Sequence, residues 1–210
     1  MANARKAEPG TEKATNGWDR RWCSVEAPRE PASLLVQFSA LLPPCGRALD
    51  VAAGAGRNSA YLATCGLSVV AVDRSRTGLE RGKALAREKG VRIHWVQADL
   101  ENLVLPPSSF DVITCFYYRD PALYPRLGAA LRPGGLIFFE TYTLDQFRFA
   151  GGPRSPAHLL EPGELLAAFR VFAVVFYHES WKGRGVASLV ARKRGRSEYE
   201  LASRTALTGP

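Results

Sequence analysis

The tightest constraint on this chain lies in Ala48-Leu49-Asp50-Val51-Ala52-Ala53-Gly54-Ala55-Gly56-Arg57-Asn58-Ser59. Arg47 to Val51 is apolar between its ends and follows Pro43-Pro44-Cys45-Gly46, which predicts a short buried strand. From Ala52 to Gly56 no side chain is larger than methyl, so backbone can pass close to a ligand. Gly54 or Gly56 can take positive φ there at little steric cost. The helix predicted from Asn58 to Thr64 starts with free N–H groups, which favour acceptor or anionic ligand atoms.

Two ligand classes compete for such a turn. A dinucleotide site asks for G-x-G-x-x-G with pyrophosphate at the helix start. Here the third position is Ser59, and Asp50 at the strand end would repel a pyrophosphate. A carboxylate is compatible with a zwitterionic or cationic ligand, such as a sulfonium amino acid.

The downstream chain supplies partners in order. Ser68 to Val72 predicts a second strand that ends at Asp73, 23 residues past Asp50. An acid at that distance and place can accept both hydroxyls of a ribose. A helix through Leu79, Leu85 and Ala86 to Gly90 leads to a third strand, Ile93 to Gln97, followed by Asp99-Leu100. His94 alternates with Ile93 and Trp95 and is expected at a helix-covered or solvent edge. A fourth strand, Phe110 to Phe116, delivers Tyr117, Tyr118 and Arg119 to its carboxyl end, where open α/β sheets place ligands. Asp120-Pro121 begins a helix to Leu131, and Arg132-Pro133-Gly134-Gly135 turns into a fifth strand, Leu136 to Glu140.

These stretches together resemble class I S-adenosylmethionine (SAM)-dependent methyltransferases. The resemblance rests on Asp50 with its D-x-x-x-G-x-G loop, Asp73, Asp99, the P-x-x-x-F-D pattern ending at Asp111, and the L-x-P-G-G turn from Leu131 to Gly135. Gly56-Arg57-Asn58-Ser59 and the short chain look most like the tellurite-resistance and thiol methyltransferase branch. The loop departs from the family in carrying Ala52-Ala53 where Gly-Cys is common. Alanine restricts φ, so the fit expects special angles only at the later glycines.

The resemblance implies a Rossmann-like, doubly wound, seven-stranded and mostly parallel sheet ending in an antiparallel hairpin. It implies SAM as cofactor, held by Trp18, Asp50, Ala52, Gly54, Gly56, Arg57, Asn58, Asp73, Arg74, Asp99, Leu100 and Phe116. Asp99 would meet the adenine amino group and Leu100 its ring. Tyr118 and Arg119 become the candidate catalytic pair, with Tyr117, Glu140, Tyr142 and His158 also near the mouth. Arg119 would hold an anionic acceptor, and the tyrosines would line a cationic methyl pocket. Phe116-Tyr117-Tyr118-Arg119 stands where amide and adenine-amine methylases carry N-P-P-Y, which argues against base methylation in DNA.

Length and composition bound the rest. The 210 residues suit one domain, expected over 17–192, after an N-terminal segment 1–16 expected to be disordered and before a basic, flexible tail 193–210. Pro31 is expected to start a helix with Leu34, Leu35, Phe38, Leu41 and Leu42 on one face. Trp18 and Trp22, four apart, share a helical face and are expected either in the core or as a lid over the cleft. After the Gly/Pro-rich loop at 150–156 a helix runs to Arg170, and two final strands, Val171 to His178 and Val186 to Ala191, form the hairpin.

No uninterrupted apolar run is long enough to span a membrane, and residues 1–17 lack a signal-type apolar segment. Cys23, Cys45, Cys65 and Cys115 show neither C-x-x-C nor metal-ligand spacing, so reduced thiols, no metal and a cytoplasmic location are expected. Net charge is +8, of which +3 lies from residue 192 onward without interleaved aromatics at the basic run. A small-molecule acceptor, anionic or thiol- or metalloid-like, is therefore favoured over nucleic acid. The alternatives are an RNA or protein acceptor on the same fold, a SAM-binding regulatory module without turnover, and, weakest, an NAD-dependent reductase.

Overall fold

The structure, a computed structural model, describes residues 9–195, with side chains from residue 17. Residues 1–8 of the expected N-terminal segment, and Arg196 and Arg204 of the expected tail, lie outside the described residues.

Seven strands form one sheet in the order β3-β2-β1-β4-β5-β7-β6. They are β1 (Arg47–Val51), β2 (Ser68–Asp73), β3 (Ile93–Gln97), β4 (Phe110–Phe116), β5 (Leu131–Tyr142), β6 (Ala173–Ser180) and β7 (Val186–Arg192). The first five pair in parallel, and β7 runs antiparallel to β5 and β6. The helices are α1 (Pro9–Ser24), α2 (Ser33–Gln37), α3 (Arg57–Thr64), α4 (Arg76–Glu88), α5 (Tyr124–Ala130) and α6 (Glu164–Ala168). Strand order reverses between β1 and β4, which puts the switch point of the sheet beside the small-residue loop.

Alternation along the strands builds a core on each face. Leu49, Val51, Ile113, Cys115, Ile137 and Phe139 pack with Leu127 of α5 and Leu165 of α6. Ala48, Val69, Val112, Phe116, Phe138 and Val190 pack on the other face with Leu35 of α2 and Leu62 of α3. Burying each large apolar side chain contributes about 1.5–3 kcal/mol, so two populated faces fix the register of every central strand. His94 is exposed on β3, the edge strand.

Several boundaries differ from the sequence expectation. Helix α1 reaches back to Pro9, into the stretch expected to be disordered. Proline is compatible with a first helical turn, where its missing N–H leaves no bond unmade. The helix expected from Pro31 to Leu42 breaks at Phe38, which has φ −107° and ψ 21° and is followed by a 3-10 turn, Ser39–Leu41. There the Phe38 ring packs 5.0 Å from Phe176 of the last hairpin, so a tertiary contact overrides helical spacing. Helix α5 starts at Tyr124 instead of Asp120, because Asp120 closes a turn by accepting Ala122 N–H at 3.0 Å.

Two motifs serve the opposite end of the sheet from the site. Asp111 Oδ2 accepts the Arg47 N–H at 2.7 Å and receives Arg132 Nη1 at 2.9 Å. It thus joins the start of β1 to the L-x-P-G-G turn. Lys193, expected to begin the tail, donates to the carbonyls of Gly128 and Leu131 at 2.8 and 2.7 Å, capping the end of α5.

Candidate functional site

The loop after β1 takes three left-handed residues, Ala52 at φ 54°, Gly54 at φ 54° and Gly56 at φ 71°. The expectation that only glycines adopt such angles is corrected by Ala52. Methyl is the smallest side chain that can be placed there, and the loop is held by Ala53 N–H to Val72 O at 3.1 Å and Gly54 N–H to Asp73 Oδ2 at 2.7 Å. Such strain costs about 1–3 kcal/mol and is tolerated only where surroundings enforce it. Gly56 caps α3, and a Cβ on it would meet the Trp95 ring of β3.

Asp73 is the acid that faces the loop. Its Oδ2 accepts Gly54 N–H and its Oδ1 accepts Ser75 N–H at 2.7 Å, leaving acceptor capacity on both oxygens for a diol. Burial raises its carboxyl above the usual range, against those two bonds. Arg74 reaches Asp99 at 3.1 Å and keeps a buried Nε with no partner among the described residues. An orphaned donor beside a half-satisfied acid is what a nucleoside edge would complete, so the residues present fit SAM at this end.

Asp50 does not share this role. It is 1% exposed, and its two oxygens accept Ser59 Oγ at 2.5 Å and Thr114 Oγ1 at 2.7 Å. Burial pushes it up to about 6, opposed by those hydroxyls and by Arg57. Asp50 therefore ties β1 to α3 and β4 from inside. Of the two acids expected to meet a ligand, Asp50 is turned inward onto Ser59 and Thr114, whereas Asp73 is bonded to the loop itself.

The other expected cofactor residues divide similarly. Asn58 is buried and accepts Ala32 N–H at 2.8 Å, which seats the start of α2. Arg57 donates to Glu30 O at 2.9 Å and lies over the Tyr117 ring. Leu100 and Phe116 are buried in the two cores. Asp99 accepts both Arg74 and Glu101 N–H. Trp18 is 40% exposed, with the Arg21 guanidinium over its ring. The Trp22 indole is the nearest group to a Cβ placed on Gly54, and with the Gly54 carbonyl it crowds one placed on Gly78 of α4. Asp19 accepts Ser75 Oγ at 2.5 Å and Thr77 N–H at 3.0 Å. Helix α1 thus covers the loop and the first turn of α4, through Trp22 and Asp19.

At the carboxyl ends of β4 and β5 the expected pair is also revised. Arg119 donates Nε and Nη2 to Glu164 at 2.8–3.1 Å and Nη1 to Ala157 O at 2.9 Å. Tyr124 donates to the same carboxylate at 2.8 Å. Through these bonds Arg119 clasps α6 and the turn before it to the end of β4. Tyr118 packs half-buried against the core, and burial raises its phenol far above the ordinary value. His158 is exposed.

Tyr117, also expected near the mouth, directly follows β4. It is left-handed at φ 59°, unusual for a bulky residue, and its N–H donates to Glu140 O at 2.7 Å. Its hydroxyl donates to Glu140 Oε1 at 2.8 Å and accepts from Arg184 Nη1 at 2.7 Å. Glu140 Oε2 accepts Ser188 Oγ at 2.8 Å. The Tyr142 ring lies 5.3 Å away, and Arg57 and Arg184 approach the Tyr117 ring at 5.9 and 5.7 Å. Burial and the Glu140 charge push the Tyr117 phenol up to about 12. Arg184, in the turn between β6 and β7, carries no motif signal and was not among the expected site residues.

A family model described as a methyltransferase domain matches residues 48–135. The chain is 33% identical over 133 residues to a demethylmenaquinone methyltransferase of Clavibacter sepedonicus, covering 60% of this chain and 54% of that one. It is 31% identical over 134 residues to a ubiquinone biosynthesis O-methyltransferase of Yersinia pestis, covering 58% and 55%. The chain therefore spans about half the length of these curated relatives. TehB of Haemophilus influenzae superposes with a TM-score of 0.64 at 19% identity, over 76% of this chain and 61% of that one, which is a likeness of fold. Motif order, the matched model over residues 48–135 and the β3-β2-β1-β4-β5-β7-β6 sheet all make this chain similar to class I SAM-dependent methyltransferases.

Proposed function

We propose that this protein transfers a methyl group from SAM to a small-molecule acceptor, anionic or thiol-like. The observation that carries this reading is the Asp73 carboxylate, fixed on the Gly54 N–H at the switch point of the sheet. The likeness to quinone-pathway methyltransferases supports a small-molecule acceptor over RNA or protein. The same reading keeps a cytoplasmic location; no helix among the described residues is long and apolar enough to cross a membrane.

Bound SAM would supply an electrophilic methyl group for in-line displacement. The chain's own task is then to orient and to exclude water. Asp73 would receive the ribose hydroxyls and Arg74 and Asp99 would lie toward the base, while Trp22 of α1 covers the loop. Fixing donor and nucleophile in line can supply several kcal/mol, about 7 or more in well-oriented cases. The Tyr117 phenol, at about 12, stays protonated at neutral pH, so it orients by hydrogen bond and does not act as base. A thiolate or other anionic nucleophile needs no base.

Titration calorimetry with SAM and with S-adenosylhomocysteine tests the cofactor reading, and saturable heat is expected from both. Labelled methyl transfer into a metabolite extract, followed by fractionation, tests turnover, with label expected in a small anionic fraction. No heat from either nucleoside, or label only in protein or RNA, would overturn the proposal.

A further inference from the structure

Tyr117 holds a strained backbone angle at the mouth, and strain of this kind persists where the surrounding structure over-determines it. What determines it is Glu140, which takes both its N–H and its hydroxyl. Arg184 completes the group by donating Nη1 to the Tyr117 hydroxyl at 2.7 Å, but its hold on the carboxylate is the weakest of the three. Its contact with Glu140 Oε1 is 3.4 Å, against 2.8 Å for Tyr117 and Ser188, and its side chain is 49% exposed. If Arg184 turned away, Glu140 would keep both shorter donors, so no carboxylate would be abandoned.

The backbone beneath Arg184 is fixed on one side and open on the other. Gly185 donates to Gln146 Oε1 at 3.0 Å and accepts Thr143 N–H at 3.1 Å. A Cβ on Gly185 would collide with the Gln146 backbone. Gly183, at φ 75°, has open space around it. The guanidinium can therefore swing while its Cα stays at the mouth.

Two guanidinium groups approach the Tyr117 ring: Arg57, whose charge also acts on the buried Asp50, and Arg184, whose nearest acid is Glu140. The Arg119–Glu164 pair is closed on itself. Arg184 is half exposed and uses one N–H each of Nη1 and Nη2, and the forked donors it keeps suit a planar anion such as carboxylate, which a guanidinium binds through two parallel bonds.

We propose that Arg184 is a specificity-determining residue that selects acceptors bearing a carboxylate, receiving that group beside the Tyr117 ring. The proposal rests on the methyltransferase reading and deepens it by naming the acceptor class.

The test uses the full chain and matched probes: 3,4-dihydroxybenzoate against 4-methylcatechol, and 3-mercaptobenzoate against 3-methylbenzenethiol. Each is titrated with and without S-adenosylhomocysteine. In at least one pair the carboxylated member should bind about tenfold tighter or better. Arg184→Gln should abolish that preference, and Arg184→Lys should keep part of it, with S-adenosylhomocysteine affinity unchanged in both. Equal affinity within both pairs, no binding of any probe, or a preference that survives Arg184→Gln would overturn the assignment. Nucleoside heat is read separately, so its absence would count against the cofactor reading while the probe difference still decides the role of Arg184.

Discussion

The Asp73 carboxylate accepts the Gly54 N–H at 2.7 Å, so the end of β2 fixes the loop that follows β1. One acid thereby shapes the loop and faces the expected diol. Asp73→Ala should weaken S-adenosylhomocysteine binding by about a hundredfold, the scale of losing hydrogen bonds to a charged group. Asp73→Asn, which keeps the shape and one acceptor, should fall between. Calorimetry reads both, and wild-type affinity in the alanine variant would show that the acid serves the loop alone.

Asp50 gives a prediction in pH. Its carboxyl is raised to about 6 in the folded chain from an ordinary 3.8. The fold therefore favours the neutral form. The stability this contributes is full below about pH 4 and is lost as pH rises through about 6. Asp50→Asn removes the buried charge while Ser59 and Thr114 can still bond the amide. Its advantage over wild type should be near zero at pH 4 and grow to roughly 2–3 kcal/mol by pH 8. Thermal unfolding of both proteins across that range checks it; a difference independent of pH would contradict the linkage.

Arg119 and Glu164 are largely buried, at 16% and 14% side-chain exposure. Arg119→Ala would leave Glu164 with Tyr124 and the Glu161 N–H but without its cation. The expected loss is about 3 kcal/mol in unfolding free energy. Adding Glu164→Gln should restore part of it, because the stranded charge is gone. A loss of turnover at unchanged stability would instead return Arg119 to the acceptor site.

Gly56 is limited twice, by φ 71° and by the Trp95 ring against its missing Cβ. Gly56→Ala should destabilise by more than about 1 kcal/mol. Combined with Trp95→Leu, which removes the far end of the ring, the alanine should add less to the loss than it does alone. Denaturant unfolding of the four proteins measures the coupling, and strict additivity would show that backbone strain is the whole cost.

Local pattern determined most of the architecture. β1 and β4 fall where apolar runs and their Pro/Gly boundaries put them, since a buried strand must be largely apolar on both faces, and β3, at the sheet edge, falls where Ile93 and Trp95 alternate with His94. Asp73 was legible as well, because strand ends and loop spacing are properties of short sequence. Tertiary structure decided which side chains are available. Asp50 and Asp73 both lie at the carboxyl ends of neighbouring strands, one residue from the end of β1 and at the end of β2, yet Ser59 and Thr114 close over the first while the second bonds the loop. Arg119 and Arg184 are both cations near the mouth. Glu164, 45 residues away in the chain, consumes the first, while the hairpin turn leaves the second half exposed. Pairings across such separations follow from packing, which no local pattern encodes. The sequence alone thus located the ends of the strands, and only the fold determined which of their side chains were already spent.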